Sequence, residues 1–543
     1  QARGRAANIT SRMFAELATA VVAIVGAMYL YLTRNNDYWE KKNIVYIKPS
    51  SSLKVIWNQI LGKVDTSTVM QRWYTEYKQK KLRYVGSIAI SEPTLTLIDL
   101  DLCKNVLTKD FHHFMARNLS PTTHEYISKH LFSLEGQEWK DMRTKLTPTF
   151  TSGKMKNMFL LMQRCADQLS DHIDKVVLQK GEFEVKDLIA RFTTDIIATC
   201  AFGLEVNSIE NRETEFYKVG QRMFAPKLTI ILKLLMHRIL PGISKFLKLN
   251  ITEPNDSDFL SRIMKDTIEY RMKNNVFRND FVDLLMQIKD KTPQELRDKT
   301  DDNAELFSDT TNLGAVNQEH QSAKEQLTLE QMTAQAFVFI LAGFETAAST
   351  TSFCLYELAK SPSVQDRLRQ EIEEVLAKYD NKITYQALKD MTYMDQVVNE
   401  TLRRYASLPF LTRVCTESYQ FPGTDLIIDK GVRIIIPTYS IHHDPDYYPD
   451  PYKFDPERFS EVNSKGRHQY AFLPFGEGPR NCIGMRFGRL QVKVGLVTIL
   501  SRYQLSPAPD TPSRLQLNPY SVFTTPKQPF SLNIIKRAER LSS

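Results

Sequence analysis

Ten residues near the end of this chain restrict what it can fold into more than any other stretch. Phe475-Gly476-Glu477-Gly478-Pro479-Arg480-Asn481-Cys482-Ile483-Gly484 fits the pattern F-x-x-G-x-R-x-C-x-G, and the apolar periodicity behind it predicts a helix over residues 483–502. Such a turn presents Cys482 at a helix start, where unpaired N–H groups and the positive end of the dipole favour a thiolate. A thiolate held in this way can bind iron. Phe475 heads the loop as its fixed aromatic, Gly478 and Gly484 let backbone approach a flat macrocycle, and Arg480 supplies a cation for a carboxylate of that ligand. The other cysteines, Cys103, Cys165, Cys200, Cys354 and Cys415, lie far apart with no CxxC pair. Neither a disulfide framework nor a zinc site of paired cysteines is indicated, and the body is expected to fold in a reducing compartment.

A second constraint is a long helix. Thr328 and Gln331 fit a capping box, and the apolar run behind them continues to Leu358 before Ser361-Pro362 opens the next helix. At 1.5 Å per residue it would be on the order of 45 Å long, enough to cross the molecule. Its middle reads Ala342-Gly343-Phe344-Glu345-Thr346. Small residues at Ala342 and Gly343 leave the backbone open to close approach, and helical hydrogen bonds can open there. Thr346 then offers a hydroxyl, and Glu345 a carboxyl, for relaying protons through water. Glu400-Thr401-Leu402-Arg403 puts a carboxylate and a guanidinium on one face of a helix predicted over residues 393–405. Trp139 and Arg143 stand one helical turn apart, so both polar tips can reach the same anionic group.

Around these motifs the 543 residues have the balance of a folded protein, 42% hydrophobic and 25% charged, which excludes disordered and fibrous classes. Lys plus Arg minus Asp plus Glu is 71 − 63 = +8. That mild excess suits an anionic membrane surface or an acidic partner better than nucleic acid, for which no basic stripe is present. Residues 17–32, LATAVVAIVGAMYLYL, carry no charge, and with residues 13–16 they reach the length of a transmembrane helix. Arginines and lysines on both sides leave its orientation open. The expected organisation is an anchor at 13–32, a linker at 33–52 and one body at 53–543. YVGSIAI and LTLIDL, either side of SEPT, predict two strands joined by a turn. Residues 121–405 read as helical around a polar surface loop at 290–326, and the chain beyond 410 reads as short strands, turns and one last helix. Basic and apolar residues interleaved over 216–250 fit either a lipid-facing surface or a buried helix pair.

Together these motifs resemble the cytochrome P450 family over nearly the whole chain. Pro456-Glu457-Arg458-Phe459 matches that family's PxRF, and the resemblance implies that Glu400, Arg403 and Arg458 form a buried structural network behind the cysteine loop. It implies a mainly α fold with a small β region, the cytochrome P450 fold, preceded by an N-terminal transmembrane helix. It also implies haem b, iron protoporphyrin IX, with Cys482 as the axial metal ligand and Trp139, Arg143, Ala342, Gly343, Phe475 and Arg480 as cofactor-binding residues. Glu345 and Thr346 become the catalytic pair that moves protons during oxygen activation. A haem-thiolate isomerase or dehydratase acts on a ready-made peroxide and needs no such pair, so that alternative, and haem binding without turnover, are less favoured. The expected reaction inserts one oxygen atom of O₂ into a lipophilic xenobiotic, insecticide or hormone with electrons from NADPH. No GxGxxG stands in a dinucleotide-binding context, in keeping with an external donor.

The implied partners are NADPH-cytochrome P450 reductase, with cytochrome b5 as a further candidate, the lipid membrane and a lipophilic small molecule. Lys140 and Lys145 are candidates for docking an acidic redox partner. DYWEKKNIVYIKP, SIHHDPDYYPDPYKFDPERF and LPFGEGPRNCIGMRFG are similar to insect microsomal members, which implies the endoplasmic reticulum membrane with the body on its cytoplasmic side. The family's proline-rich hinge after the anchor is reduced to Lys48-Pro49-Ser50. By the same resemblance, substrate would meet residues 111–131, Phe337, Ile340, residues 408–411 and Val522-Phe523, which are mostly apolar. Arg413 is a further propionate candidate, set aside because arginines at strand ends are common.

Overall fold

Apolar side chains sort the chain around two hydrophobic cores, one among helices and one around a sheet. The computed structural model describes residues 29–537 except Ile90, 118–125, 225–232, 234–235, 238–239, 248, 250–252 and 291–326, together with Glu16, Thr19, Ala23 and Gly26. The anchor expected at 13–32 thus falls largely outside the described residues, as does the polar loop from 291.

Ten short strands run in chain order as β1 (Tyr46–Ile47), β2 (Tyr84–Ala89), β3 (Glu92–Leu97), β4 (Glu182–Glu184), β5 (Leu411–Val414), β6 (Tyr419–Gln420), β7 (Ile427–Ile428), β8 (Arg433–Ile436), β9 (Tyr503–Pro507) and β10 (Ser531–Lys536). The main sheet has the order β1-β2-β3-β8-β5, beside a three-stranded sheet β4-β10-β9 and the pair β6-β7. Alternation places Leu95 and Leu97 of β3 and Ile434 and Ile436 of β8 in the sheet core. The SEPT turn is shorter than the sequence suggests. Glu92, Pro93 and Thr94 already belong to β3, with Pro93 opposite Ile88, and Ser91 takes φ 67°. Pro93 lies outside the Thr94–Thr96 stretch that pairs with β8, a strand end where a missing N–H is tolerated.

Seven of the helices frame the site, numbered here in chain order: α1 (Gly136–Leu146), α2 (Ser152–Gln179), α3 (Val185–Ile197), α4 (Leu329–Gly343), α5 (Glu345–Lys360), α6 (Thr392–Arg404) and α7 (Met485–Leu500). The capping box forms: Thr328 Oγ1 accepts from the Gln331 amide at 3.1 Å and Gln331 Oε1 from the Thr328 amide at 2.9 Å. The single helix expected behind it is broken in two at Phe344, where ψ is −69°. Thr346 Oγ1 donates to the Ala342 carbonyl at 2.5 Å, and such a hydroxyl competing for the backbone is a known cause of local helix distortion. Among the described residues, 329–360 is the one helical run long and apolar enough to cross a membrane, yet most of it is buried inside the protein, as befits a core helix.

Helix α5 packs on α3 and on α7, and α7 packs on α2. The close crossing of α4 and α3 depends on Gly343, where a Cβ would stand 2.3 Å from Ile197 Cδ1. The cysteine loop runs between the two cores. Leu473 belongs to the sheet core, while Phe475, Ile483 and Phe487 pack against the helical one.

Candidate active site

The cysteine loop closes on itself through a hydrogen bond from the Cys482 amide to the Phe475 carbonyl at 2.9 Å. Gly478 has φ +75°, and a Cβ there would stand 1.8 Å from the Leu107 carbonyl oxygen, so the position admits only glycine. Its glycine therefore serves a protein contact, whereas Gly484 caps α7, which begins at Met485. Of the six cysteines, five are buried and Cys482 is exposed, although its loop is embedded between the cores. Ala342, in the middle of a core helix, is likewise exposed, and Thr346 is half-buried. Although its surface is open, protein packed on every other side of the loop desolvates the Cys482 thiol and pushes it up, against the pull of the Gly484 amide and of Arg143 and Arg117. Desolvation prevails over the helix start, and a coordinated metal is what would deprotonate this sulfur outright.

Four guanidinium groups gather beside the loop. Arg143 on α1 donates from Nη1 to the Asn481 carbonyl at 3.0 Å and from Nη2 to Asn481 Oδ1 at 2.8 Å, gripping the residue before the cysteine. Arg480 donates to the Leu134 carbonyl at 2.7 Å and lies over the ring of buried Trp139, with its Cζ 4.2 Å from the centroid. Arg117 donates to the Arg480 carbonyl at 2.8 Å, and Arg413 on β5 to the Thr412 carbonyl at 2.8 Å. Among the described residues, none of the four forms an ion pair, and Arg413 Nε and Arg480 Nε and Nη1 are buried without a hydrogen-bond partner. Burial, then mutual repulsion, draws Arg480 down to about 9 and Arg117 to about 10, and holds Arg413 well below the ordinary guanidinium range. A cluster of cations, two of them buried with orphaned donors, is a receptor for a polyvalent anion.

The structure therefore brings Trp139, Arg143, Phe475, Arg480 and Cys482 together, and it adds Arg117 and Arg413. Arg117 belongs to no motif. It comes to the site because the Val414 amide bonds the Ala116 carbonyl at 2.9 Å, seating residue 117 beside β5.

Behind the loop, Arg403 makes a two-pronged bond to Glu400, Nε to Oε2 at 2.7 Å and Nη2 to Oε1 at 2.8 Å, with both side chains fully buried. Arg403 also donates to the His442 and Pro451 carbonyls at 2.8 Å, and Arg458 Nε lies 3.6 Å from Glu400 Oε1. His442 is held neutral by burial and by Arg403, drawn down to about 3, so its Nε2 can accept from the Leu473 amide at 2.8 Å. The network thus reaches the first residues of the cysteine loop through one histidine.

On the broken helix, Glu345 is buried at the start of α5, with Lys186 Nζ at 2.7 Å and Ser349 Oγ at 2.8 Å, both on Oε1. Lys186 is a third functional candidate that no sequence motif marks. Phe337 and Ile340 are buried. Phe344 stacks on Phe224 with centroids 5.4 Å apart, and Phe224 meets Phe523 at 5.8 Å, so the late turn does reach the broken helix. Val522 points outward and is 66% exposed. Lys140 is exposed, but Lys145 is buried and is removed from the docking surface expected of it.

Comparison with known proteins agrees with this arrangement. The family model described as cytochrome P450 matches residues 48–534. The chain is 40% identical to the probable cytochrome P450 6a14 of Drosophila melanogaster over 90% of its own length and 92% of that protein's. It is 37% identical to cytochrome P450 6k1 of Blattella germanica over 98% of its length and 100% of that protein's, and 38% identical to cytochrome P450 6j1 of the same insect over 92% and 93%. A mainly helical fold with a small β region, a cysteine loop backed by a buried Glu-Arg network, and relatives matched along nearly their full length lead to one conclusion: the chain belongs to the cytochrome P450 family of monooxygenases and resembles its insect members.

Proposed function

We propose that the chain binds haem b through Cys482 and oxidises lipophilic small molecules with electrons drawn from NADPH by a separate reductase at the endoplasmic reticulum membrane. The observation that carries this reading is an exposed cysteine beside four guanidinium groups, two of which, Arg413 and Arg480, are buried with donors left unbonded. That donor set fits the group: a soft anionic ligand for iron, and cations for two propionates. When bound, haem supplies the metal at which dioxygen is activated by electron transfer.

The chain's own residues do the rest. Arg117, Arg143, Arg413 and Arg480 would hold the propionates and so set the group's orientation, with the Trp139 ring packed against the Arg480 guanidinium. Apolar side chains from α4 and the late turn, Phe337, Ile340 and Phe523, exclude water and favour a lipophilic substrate. Thr346 Oγ1 holds a proton directed at the Ala342 carbonyl, in the exposed middle of the broken helix. Glu345 Oε1, bonded to Lys186 Nζ and Ser349 Oγ, ties the interior of that break to a lysine that is part-exposed. The Thr346 hydroxyl and the Glu345–Lys186 pair together would relay protons inward from solvent at the part-exposed lysine, which a monooxygenase needs and an isomerase working on a finished peroxide does not.

Cys482→Ser tests the reading. The parent, reduced under carbon monoxide, should show the absorption band of thiolate ligation, and the variant should lose it. Persistence of that band in the variant would overturn the assignment. Titrating a lipophilic panel while following the haem spin shift, then adding reductase and NADPH, would identify substrate and donor.

A further inference from the structure

Away from the cysteine loop, a short 3-10 helix, Phe111–Phe114, carries two adjacent histidines between two buried aromatics. Phe111 packs in the helical core and Phe114 in the sheet core, where it meets Tyr419 edge-on at 4.9 Å. The helix is therefore pinned at both ends, with His112 exposed between them and His113 half-buried beside Tyr419. Opposite stands Glu417, three residues beyond β5. The Thr416 amide donates to the His113 carbonyl at 2.8 Å, Thr416 Oγ1 to the same oxygen at 3.0 Å, and Tyr419 Oη to Asp110 Oδ2 at 2.6 Å. Backbone and hydroxyl bonds thus fix the glutamate against the histidine pair without using the ring nitrogens, which is how a preorganised site is built.

One ligand atom each from His112, His113 and Glu417 lies within 4.8 Å of the others. The two imidazole rings are 4.0 Å apart between centroids. His113 Nδ1 is 2.9 Å from Glu417 Oε1, yet it is buried and makes no aligned hydrogen bond. A plain histidine–carboxylate pair would satisfy that nitrogen, whereas a third partner between the two groups would satisfy both. We propose that His112, His113 and Glu417 form a site for a divalent transition-metal ion of the zinc class. Two imidazoles and a carboxylate are the donors that such an ion accepts with a water in the fourth position. Tetrahedral donors at zinc distances stand about 3.4 Å apart, so rotation of the exposed His112 completes the set. The bound ion ties residues 110–117 to the segment after β5, and so braces Arg117 against Arg413.

The test uses the full haem-loaded chain, washed with a chelator, equilibrated with zinc chloride and passed through gel filtration before elemental analysis. The parent should retain one zinc per chain and melt at a higher temperature with zinc than without. His112→Ala and Glu417→Gln alter exposed side chains and should keep the haem spectrum while losing both the metal and the thermal shift. A parent without zinc overturns the proposal, and so does an equal load in parent and variants, which would put the metal elsewhere.

Discussion

Arg413 is a side chain whose folded environment works against it: it is 2% exposed, has Arg117 and Arg480 as neighbours and leaves Nε without a bond. Replacing a buried ion pair by apolar groups of similar volume is neutral to stabilising by about 1–4 kcal/mol, because a desolvation cost is removed, and an unpaired buried charge has no Coulombic attraction to lose. Arg413→Met should therefore raise the denaturation midpoint of haem-free protein by an amount in that range, while the loaded protein releases haem faster. Urea titration and haem transfer to an acceptor globin would read the two effects, and a gain or a loss in both states together would contradict the anion-receptor role. Cys482 and Arg480 were legible in the sequence because their loop is contiguous and its pattern is specific. Arg117 and Lys186 were not, because their place in the site comes from the approach of distant segments, Arg117 to Arg480 across 363 positions and Lys186 to a glutamate on another helix. Lys145 failed the other way: helical spacing put it beside Lys140, and only packing shows that it is buried.

At the level of elements, the decisive feature is the break between α4 and α5. The small residues at its centre were visible in the sequence, but their separate duties were not. Ala342 is exposed, whereas Gly343 is pressed against α3. Gly343→Ala should destabilise by about 1–3 kcal/mol through overpacking against Ile197. Ile197→Val removes the offending Cδ1 and alone should cost about 0.5–1.5 kcal/mol. Together the two changes should cost less than their sum, and a double-mutant cycle from denaturant midpoints measures the coupling directly. Strict additivity would show that the α3–α4 crossing is not what demands the glycine. The capping box at Thr328 and the helix around Glu400 matched expectation because both are set by neighbours three and four residues apart. The turn before β3 did not, since the strand's extent is decided by its pairing with β2 rather than by the proline within it.

For the molecule as a whole, stability should fall on mild acidification. His130 is drawn down to about 4 and His442 to about 3, mainly by burial, and His443 lies well below its ordinary range for the same reason. In the unfolded chain these rings protonate near pH 6.5. Below that value the unfolded state takes up protons that the native state refuses, so stability drops as pH falls toward the depressed folded values. Each such histidine adds about 1.4 kcal/mol per pH unit to the slope. Urea midpoints between pH 7.5 and 5.5 should shift downward accordingly, and His442→Gln, which can still accept from the Leu473 amide, should flatten the decline; an unchanged slope would contradict it. Two cores, rather than one, were not apparent from composition, because hydrophobic periodicity reports which face is apolar and not which partner covers it. With Leu473 rooted in one core and Phe475 packed against the other, the cysteine loop is a seam between them, so a cavity opened beneath either anchor should loosen how Cys482 is presented.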